Sequence, residues 1–431
     1  RDGRKPDLSA AQSTGEHYDL VIVGAGISGL SAAYFYRKLK GRKARILLLD
    51  NHDDFGGHAK RNEFRIGGKT ILGYGGTQNI EILSLYTPEA LGLLRELGID
   101  IKRFGKYYDQ GFRKRHGMAD ACFFDKSAFG SDTLARNQVG VDYNDMKFDA
   151  ARLEAFLGEA PFSEQGKADL RRLFVEKRDY LPGRSVEEKR KLLRSISLRT
   201  FLEQYAKVQP EIVKYYQQRP HGSFGSGADA VDAEGGLFIL PPAVAAGMGL
   251  GDGSTLMDAE PYINHFPDGN ASIARLLVRS LVPGSAPGRT MEDIVTARLD
   301  YSALDRRLSK VRIRLNSTVV AARHVGNVEN SSAVDVTYLR DGKALSVRAD
   351  KVILACWNMV IPYICPEMPK AQREGLAYCV KVPLVYGTVV IRNSGNSGIV
   401  VTPKRAAGGD WLSFPAEPVF VAAGDSVFYD F

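Results

Sequence analysis

Cysteine is scarce: Cys122, Cys356, Cys365 and Cys379 are the whole complement, and no two of them make a CxxC pair. That spacing excludes a zinc ribbon, a covalently attached c-type haem and a disulfide-dense scaffold, while leaving the redox compartment open. Long apolar runs are lacking too. None approaches the roughly 18 uninterrupted apolar residues of a membrane span, so no integral membrane segment is expected in this chain. Internal repeats and low-complexity stretches are also missing. Acidic charge is outnumbered, with 58 Lys and Arg against 50 Asp and Glu and a net charge of +8. The basic residues are dispersed, however, and the dense stretches Arg113–Lys114–Arg115 and Glu187–Arg194 read as solvated faces. Nucleic acid is therefore not an expected partner. The same excess repels a cationic ligand at long range, so such a ligand would need a locally acidic pocket. The polar stretch RDGRKPDLSAAQSTGEH begins on Arg1 without a Met and shows no apolar pattern. It reads as the end of a processed leader.

What is present is the composition of an ordinary globular enzyme, 44% apolar and 25% charged over 431 residues, enough for at least two lobes. Residues 18–24 (YDLVIVG) form a short β-branched run ending on glycine. Residues 27–40 then keep Ile27, Leu30, Ala33 and Tyr34 on one helical face, and Arg45–Asp50 (RILLLD) is a second buried-type strand. Strand, glycine turn, helix and strand make a βαβ unit whose parallel sheet is covered on both faces. Charged helical patterns follow over 147–158, 165–178, 186–195 and 199–217, then a Gly-rich stretch at 222–253 and a helix near 270–281. From 311 short strands return, with a hairpin turn at Arg340–Asp341–Gly342–Lys343 and further strands at 383–392 and in the tail.

The glycine turn reads Gly24-Ala25-Gly26-Ile27-Ser28-Gly29. Gly24 permits the tight turn, Gly26 lets backbone approach a pyrophosphate, and Gly29 allows close helix–strand packing. The phosphates then lie at the helix amino end, where free N–H groups and the dipole favour negative charge. Such a motif alone is weak. Here a strand precedes it, a helix follows, and the second strand ends on a carboxylate, Asp50, placed to accept bonds from adenosine ribose hydroxyls and to repel a 2′-phosphate. Asp50 stands a little farther from Gly24 than the usual spacing of about 20, which the longer Lys38–Lys43 crossover explains.

Two more glycine clusters follow, in Asp50-Asn51-His52-Asp53-Asp54-Phe55-Gly56-Gly57-His58-Ala59-Lys60-Arg61 and in Gly73-Tyr74-Gly75-Gly76-Thr77-Gln78-Asn79. Their order resembles the two-dinucleotide-binding-domain flavoproteins of the FAD-dependent amine oxidase superfamily. Val319 in STVVAARHV and Ala355 in KVILAC match strands that meet the dinucleotide in that superfamily. The wording DFGGHAKRNEF and GGTQNI, with GADAVDAEGG (227–236) and FPDGNASIARLLVRSLVPG (266–284), is similar to bacterial spermidine dehydrogenases. The likeness runs from about residue 18 to 393 and is close over the first 80 residues.

The resemblance implies an α/β fold: an FAD-binding Rossmann-like domain with a β-meander, an inserted helical lobe and a substrate-domain sheet. Its segments fall at 18–100 (FAD, first segment), 101–300 (inserted helical and substrate lobe), 301–360 (FAD, second segment with the meander) and 361–431 (substrate-domain strands). It also calls for a C-terminal glycine-rich segment and helix at the flavin, and nothing after Leu412 matches these. FAD is the expected cofactor, contacted by Gly24, Gly26, Gly29, Asp50, Asn51, Gly56, Gly57, His58, Gly76, Thr77, Gln78, Val319 and Ala355. The expected activity is dehydrogenation of a polyamine C–N bond to an imine that hydrolyses to an aldehyde and an amine. Electrons would pass to a non-oxygen acceptor, a protein or a quinone. The resemblance adds haem b, for which sequence selects no axial ligand among His17, His52, His58, His116, His221, His265 and His324. It also favours the bacterial periplasm, with the cytoplasm left open.

A distal ammonium of the substrate needs a carboxylate partner, and the candidates are Glu81, Asp229, Asp232 and Glu234. Asp229 and Asp232 share a face if that segment is helical. For each acid, solvation or helix capping is the competing reading. Two rival functions keep the scaffold: a flavin-dependent desaturase or oxidase of an apolar polyene or porphyrin, and a flavin-less binding protein like the GDP-dissociation inhibitors.

Overall fold

A computed structural model describes residues 11–109, 121–136, 149–251 and 264–382, together with the backbone of 388–390 and 428–430. The chain forms two compact units, one of residues 1–80, 84–106 and 264–381, the other of 81–83, 107–263 and 382–431.

The first unit opens with β1 (Gln12–Tyr18) and β2 (Leu20–Val23), followed by helix α1 (Ile27–Lys40) and β3 (Ile46–Leu49). A hairpin, β4 (Lys60–Ile66) and β5 (Lys69–Gly75), leads to helix α2 (Pro88–Glu96). β6 (Ala121–Phe124) and β7 (Thr133–Arg136) pair in the second unit. The first unit resumes with helix Ala271–Leu281, then β8 (Val311–Arg314), β9 (Thr318–His324), β10 (Val334–Arg340), β11 (Lys343–Ala349) and β12 (Val352–Leu354).

Two sheets make the first unit. The parallel sheet has the order β12-β2-β3-β8, with Val352 opposite Val21, Leu20 opposite Ile46, and Ile46 opposite Val311. Every residue of β2 and β3 is buried, as expected of strands covered on both faces. Leu30 and Ala33 of α1 are buried, whereas Ile27 and Tyr34 remain half-buried at the margin of that face. The second sheet is the meander, in the order β1-β11-β10-β9. Its Val336, Tyr338, Val347 and Ala349 share one apolar core with Val21, Val23, Leu47 and Leu49. The hairpin turn falls where the sequence puts it, with Asp341 and Gly342 at φ 49° and 73° between the paired Arg340 and Lys343.

Several expectations change. Gln12–Tyr18, taken from sequence as an unpatterned leader end, is a strand lying parallel to β11. Its polar residues suit a sheet edge that is exposed on one side. Residues 264–300 group with the first unit rather than with an inserted lobe. Ile361–Ile364 and Lys370–Tyr378 are helical rather than strands.

The second unit is mainly helical, with Ala150–Glu159, Glu164–Val175, Val186–Ser195 and Pro210–Gln217 as its longer helices. Pro210 sits at a helix start, which splits the expected 199–217 helix there. Ser185 and Glu188 close a capping box, satisfying two amides that the Val186–Ser195 helix leaves unpaired. Phe124, Phe156, Leu173, Phe201 and Tyr216 lie in its core. Thr388–Val390 pairs antiparallel with Phe428–Asp430, and the rest of the expected carboxy-terminal strands lies outside the described residues. So do Arg113–Lys114–Arg115, His116 and residues 252–253 of the Gly-rich stretch.

Candidate functional site

The turn from β2 into α1 is built to a tolerance that only glycine meets. Gly24 has φ +102°, and a Cβ there would lie 2.5 Å from the Ala355 carbonyl oxygen. Ala355 itself donates its amide to the Val23 carbonyl at 2.9 Å, so β12 backs the turn directly. A Cβ on Gly29 would lie 2.0 Å from the Gly24 oxygen. Gly26 caps α1, which has no acidic side chain in its first turn to compete for the amides there.

The second glycine cluster folds back on the first. Gly56 donates its amide to the Ala25 carbonyl at 2.8 Å, and a Cβ on Gly57 would stand 3.1 Å from Gly26 Cα. The third cluster joins by way of the β4–β5 hairpin, whose register sets Lys60 opposite Gly75. There Gly76, at φ +131°, brings its backbone so near that a Cβ would meet the His58 oxygen at 2.3 Å. Thr77 then accepts the Asn270 amide at 3.1 Å through its carbonyl, at the start of helix Ala271–Leu281. Three glycine loops separated in sequence thus form one backbone-lined crevice. A side chain at Gly24, Gly57 or Gly76 would drive one segment off its neighbour.

Asp50 closes β3 at 5% exposure. Its Oδ2 accepts the Ala25 amide at 2.7 Å, and its Oδ1 accepts the His52 amide at 3.0 Å and meets His52 Nδ1 at 3.0 Å. A carboxylate has about four lone-pair sites, so one remains for a ribose hydroxyl. Asn51, next in the chain, and His58 are exposed. Val319 is buried in β9 opposite Tyr338, and its side chain belongs to the meander core.

Behind the crevice lies a charged core that sequence reasoning missed. Asp268 is fully buried and accepts from Ser272 Oγ at 2.6 Å and from Arg61 Nη1 at 3.1 Å. Burial raises its carboxyl above the usual range, against the pull of Ser272 and Arg61. Under the meander, Arg312 and Arg314 face Glu16 and Asp305. Arg314 reaches Glu16 Oε2 at 2.9 Å and Asp305 Oδ2 at 2.9 Å, while Arg312 bonds Glu16 and meets Asp305 Oδ1 at 2.6 Å. The alternating arginines of VRIRL were the available signal; Asp305 is near them in sequence, but Glu16, which completes the cluster, is about 300 positions away.

The substrate acids are not gathered at one point. Asp232 caps the short helix Ala233–Gly236, accepting the Gly235 amide at 2.9 Å. Glu234 pairs with Arg190 at 2.5 Å and with Arg194. Asp229 sits in a turn, taking a 2.5 Å bond from Gln217 Nε2. The segment joining Asp229 to Asp232 is not helical, so the two do not share a helical face. Glu81 is exposed and precedes Ile82, whose φ is +46°.

Among the histidines, His17 bonds Asp350 at 2.6 Å, His324 bonds Glu367 at 2.7 Å, and His265 Nδ1 lies 3.0 Å from the Phe266 oxygen. Burial lowers the pKa of His221. Among the described residues no group of three or more His, Cys, Asp or Glu is placed to hold a metal ion, and no helix is long and apolar enough to cross a membrane.

No curated protein matches the chain in sequence. One similar solved structure is the CLA-producing fatty acid isomerase from P. acnes, at 11% identity and a TM-score of 0.36. The match covers 84% of this chain and 63% of that one, so the chain spans under two thirds of that enzyme's length. Residues 22–97 match the NAD(P)-binding Rossmann-like domain family, and they hold the whole glycine crevice from Gly24 to Thr77 and Asp50. The chain carries a Rossmann-like dinucleotide-binding domain within a mixed α/β fold.

Proposed function

We propose that this chain is an FAD-dependent dehydrogenase that oxidises a C–N bond of a polyamine. The observation that carries the flavin reading is the docking of the second and third glycine loops on the first, with Gly57 against Gly26 and Gly76 against His58. A nicotinamide domain needs the first loop for its diphosphate. Two further backbone loops, continuous with it, suit a cofactor that extends past the diphosphate into a second large ring system. The residues fit it: glycines clear the space, Asp50 offers an acceptor to the ribose, and Thr77 and Gln78 continue the lining.

Bound flavin supplies the acceptor for a hydride equivalent leaving the carbon beside the amine nitrogen. The chain's own part is to bind, orient and exclude water until the imine forms. Water then adds to the imine, releasing an aldehyde and a smaller amine, and the electron pair passes on to a non-oxygen acceptor. Asp229, whose bond is to the neutral Gln217, and the exposed Glu81 are the acids left to hold a distal ammonium, since Asp232 and Glu234 already serve a cap and an ion pair. No residue here is assigned to a haem, because His17, His52, His265 and His324 already engage other groups, and haem b rests on the resemblance alone.

The test is a visible spectrum of the pure protein, oxidised and then reduced with dithionite, which reports flavin and any b-type haem together. Anaerobic spermidine should bleach the flavin band. A colourless protein refractory to FAD would remove the flavin, and an intact band with every polyamine would remove the substrate. The structural duties of Asp232 and Glu234 favour a second reading, a flavoenzyme with an apolar substrate. Asp229→Asn separates the two: the polyamine reading expects KM for spermidine to rise about tenfold, the loss of one charged hydrogen bond.

A further inference from the structure

Three buried side-chain oxygens at the end of the glycine crevice have no hydrogen-bond partner: Thr77 Oγ1, Asn79 Oδ1 and Asn270 Oδ1. Buried polar atoms are nearly always paired, so three orphans in one place call for an occupant. Asn270 holds the three residues together: its amide donates to the Thr77 carbonyl at 3.1 Å, and its Nδ2 donates to the Asn79 carbonyl at 3.1 Å. Gly269, at φ +59°, makes the approach possible, since a Cβ there would lie 2.2 Å from the Thr77 oxygen.

The chemistry of the occupant follows from the orphans. Two are amide oxygens that only accept, and the third is a hydroxyl that accepts or donates. A phosphate would need donors, so the diphosphate does not belong here. An ammonium would need carboxylates, and the adjacent amino end of helix Ala271–Leu281 opposes positive charge. Neutral donors remain, of which a chain of hydroxyls is the simplest. The location agrees. Thr77 follows Gly76, whose backbone lies against His58 and so next to Gly57 at the diphosphate loop. Ala274, one turn along the helix from Asn270, stands 3.6 Å from a Cβ built on Gly56. The orphans therefore lie about one helical turn, about 5 Å, beyond the diphosphate loop, within reach of a short polyol.

We propose that Thr77, Asn79 and Asn270 form a seat for the hydroxyl groups of the ribityl chain, a hold on FAD that ADP, which ends before the seat, does not share. This rests on the flavin reading above and adds Asn79 and Asn270 to the residues that hold the cofactor.

The test compares dissociation constants for FAD and ADP by calorimetry in the whole protein, for the unaltered chain, Thr77→Val and Asn270→Ala. Each substitution should weaken FAD by about 2- to 10-fold and leave ADP unchanged, because ADP ends before the seat. Retained ADP affinity also shows that the unit has folded, and Thr77→Val, which deletes only a hydroxyl, carries the test if Asn270→Ala does not fold. Unchanged FAD affinity in Thr77→Val, or an equal loss for ADP, overturns the proposal. So does a loss confined to spermidine binding. If the unaltered chain binds FAD no tighter than ADP, the flavin reading falls and takes this inference with it. If it prefers FAD and the variants keep that preference, this inference alone falls.

Discussion

Alanine in place of Gly29 offers a test in which local propensity and tertiary packing have opposite signs. In a helix interior, Gly→Ala gains about 0.8–1 kcal/mol from backbone entropy. Gly29 lies inside α1 with ordinary helical geometry, so propensity alone predicts a stabilised protein. The structure predicts the reverse. The added Cβ would stand 2.0 Å from the Gly24 carbonyl oxygen, 3.1 Å from its carbon and 3.3 Å from Ile22 Cγ2. The nearest atom is backbone, and Gly24 cannot retreat freely because its amide is bonded to the Leu49 carbonyl at 2.8 Å. Helix and turn must part by about 1 Å. Overpacking of this kind costs about 1–3 kcal/mol, and this contact belongs at or above the upper end. The net expectation is a loss of about 2 kcal/mol, roughly a 30-fold fall in the folded-to-unfolded ratio. Gly92→Ala is the control. Gly92 also lies within a helix, α2, with nothing within 4 Å of its Cβ position, and should gain up to about 1 kcal/mol. Urea denaturation of the two variants gives the comparison directly. If Gly29→Ala were as stable as Gly92→Ala and bound ADP with unchanged affinity, the close-approach account of the turn would be wrong.

Two other perturbations probe the same unit. Asp50→Ala removes the acceptor of the Ala25 amide at a site 5% exposed, costing about 1–3 kcal/mol for the orphaned donor. It should also weaken ADP by about 10-fold or more through the lost ribose bond, and calorimetry showing unchanged ADP affinity would refute the assignment. Glu16 titrates below its ordinary 4.5: burial pushes it up, but Arg314 and Arg312 together pull it down further. Its contribution to stability is therefore complete above about pH 4.5 and is lost as pH falls through the lowered value. Denaturation midpoints of the unaltered protein should drop between pH 5 and 3 more than those of Glu16→Gln, with any equality of the two acid limbs counting against the ion-pair account.

The parts of this fold legible in sequence are those whose signal is local. The run into Gly24, the α1 face of Leu30 and Ala33, the carboxylate ending β3 and the Asp341–Gly342 turn all lie within a few residues of the features that define them. What was missed depends on distant partners. β1 carries few apolar residues and makes sense only beside β11 and beneath Arg312 and Arg314, about 300 positions away. Gly67–Gly68 does mark the β4–β5 turn, with both glycines at positive φ, but the flanking KRNEFRI is too polar to announce a strand. Among the acids, residue type could not tell a capping Asp232 or a paired Glu234 from a ligand. Their roles are set by Gly235, Arg190 and Arg194.

The backing of Gly24 by Ala355 has a consequence for biosynthesis. The strand that fixes the carbonyl side of the motif, Val352–Leu354, is made more than 300 residues after the motif itself. Until then the apolar edge of β2 has no neighbour on that side, and a slow, non-local closure of this kind is where aggregation competes with folding. Residues 107–263 are all synthesised during that interval. Overproduction should therefore benefit from slowed translation or from chaperones that shield a nascent sheet edge, more than from any change to the crevice itself.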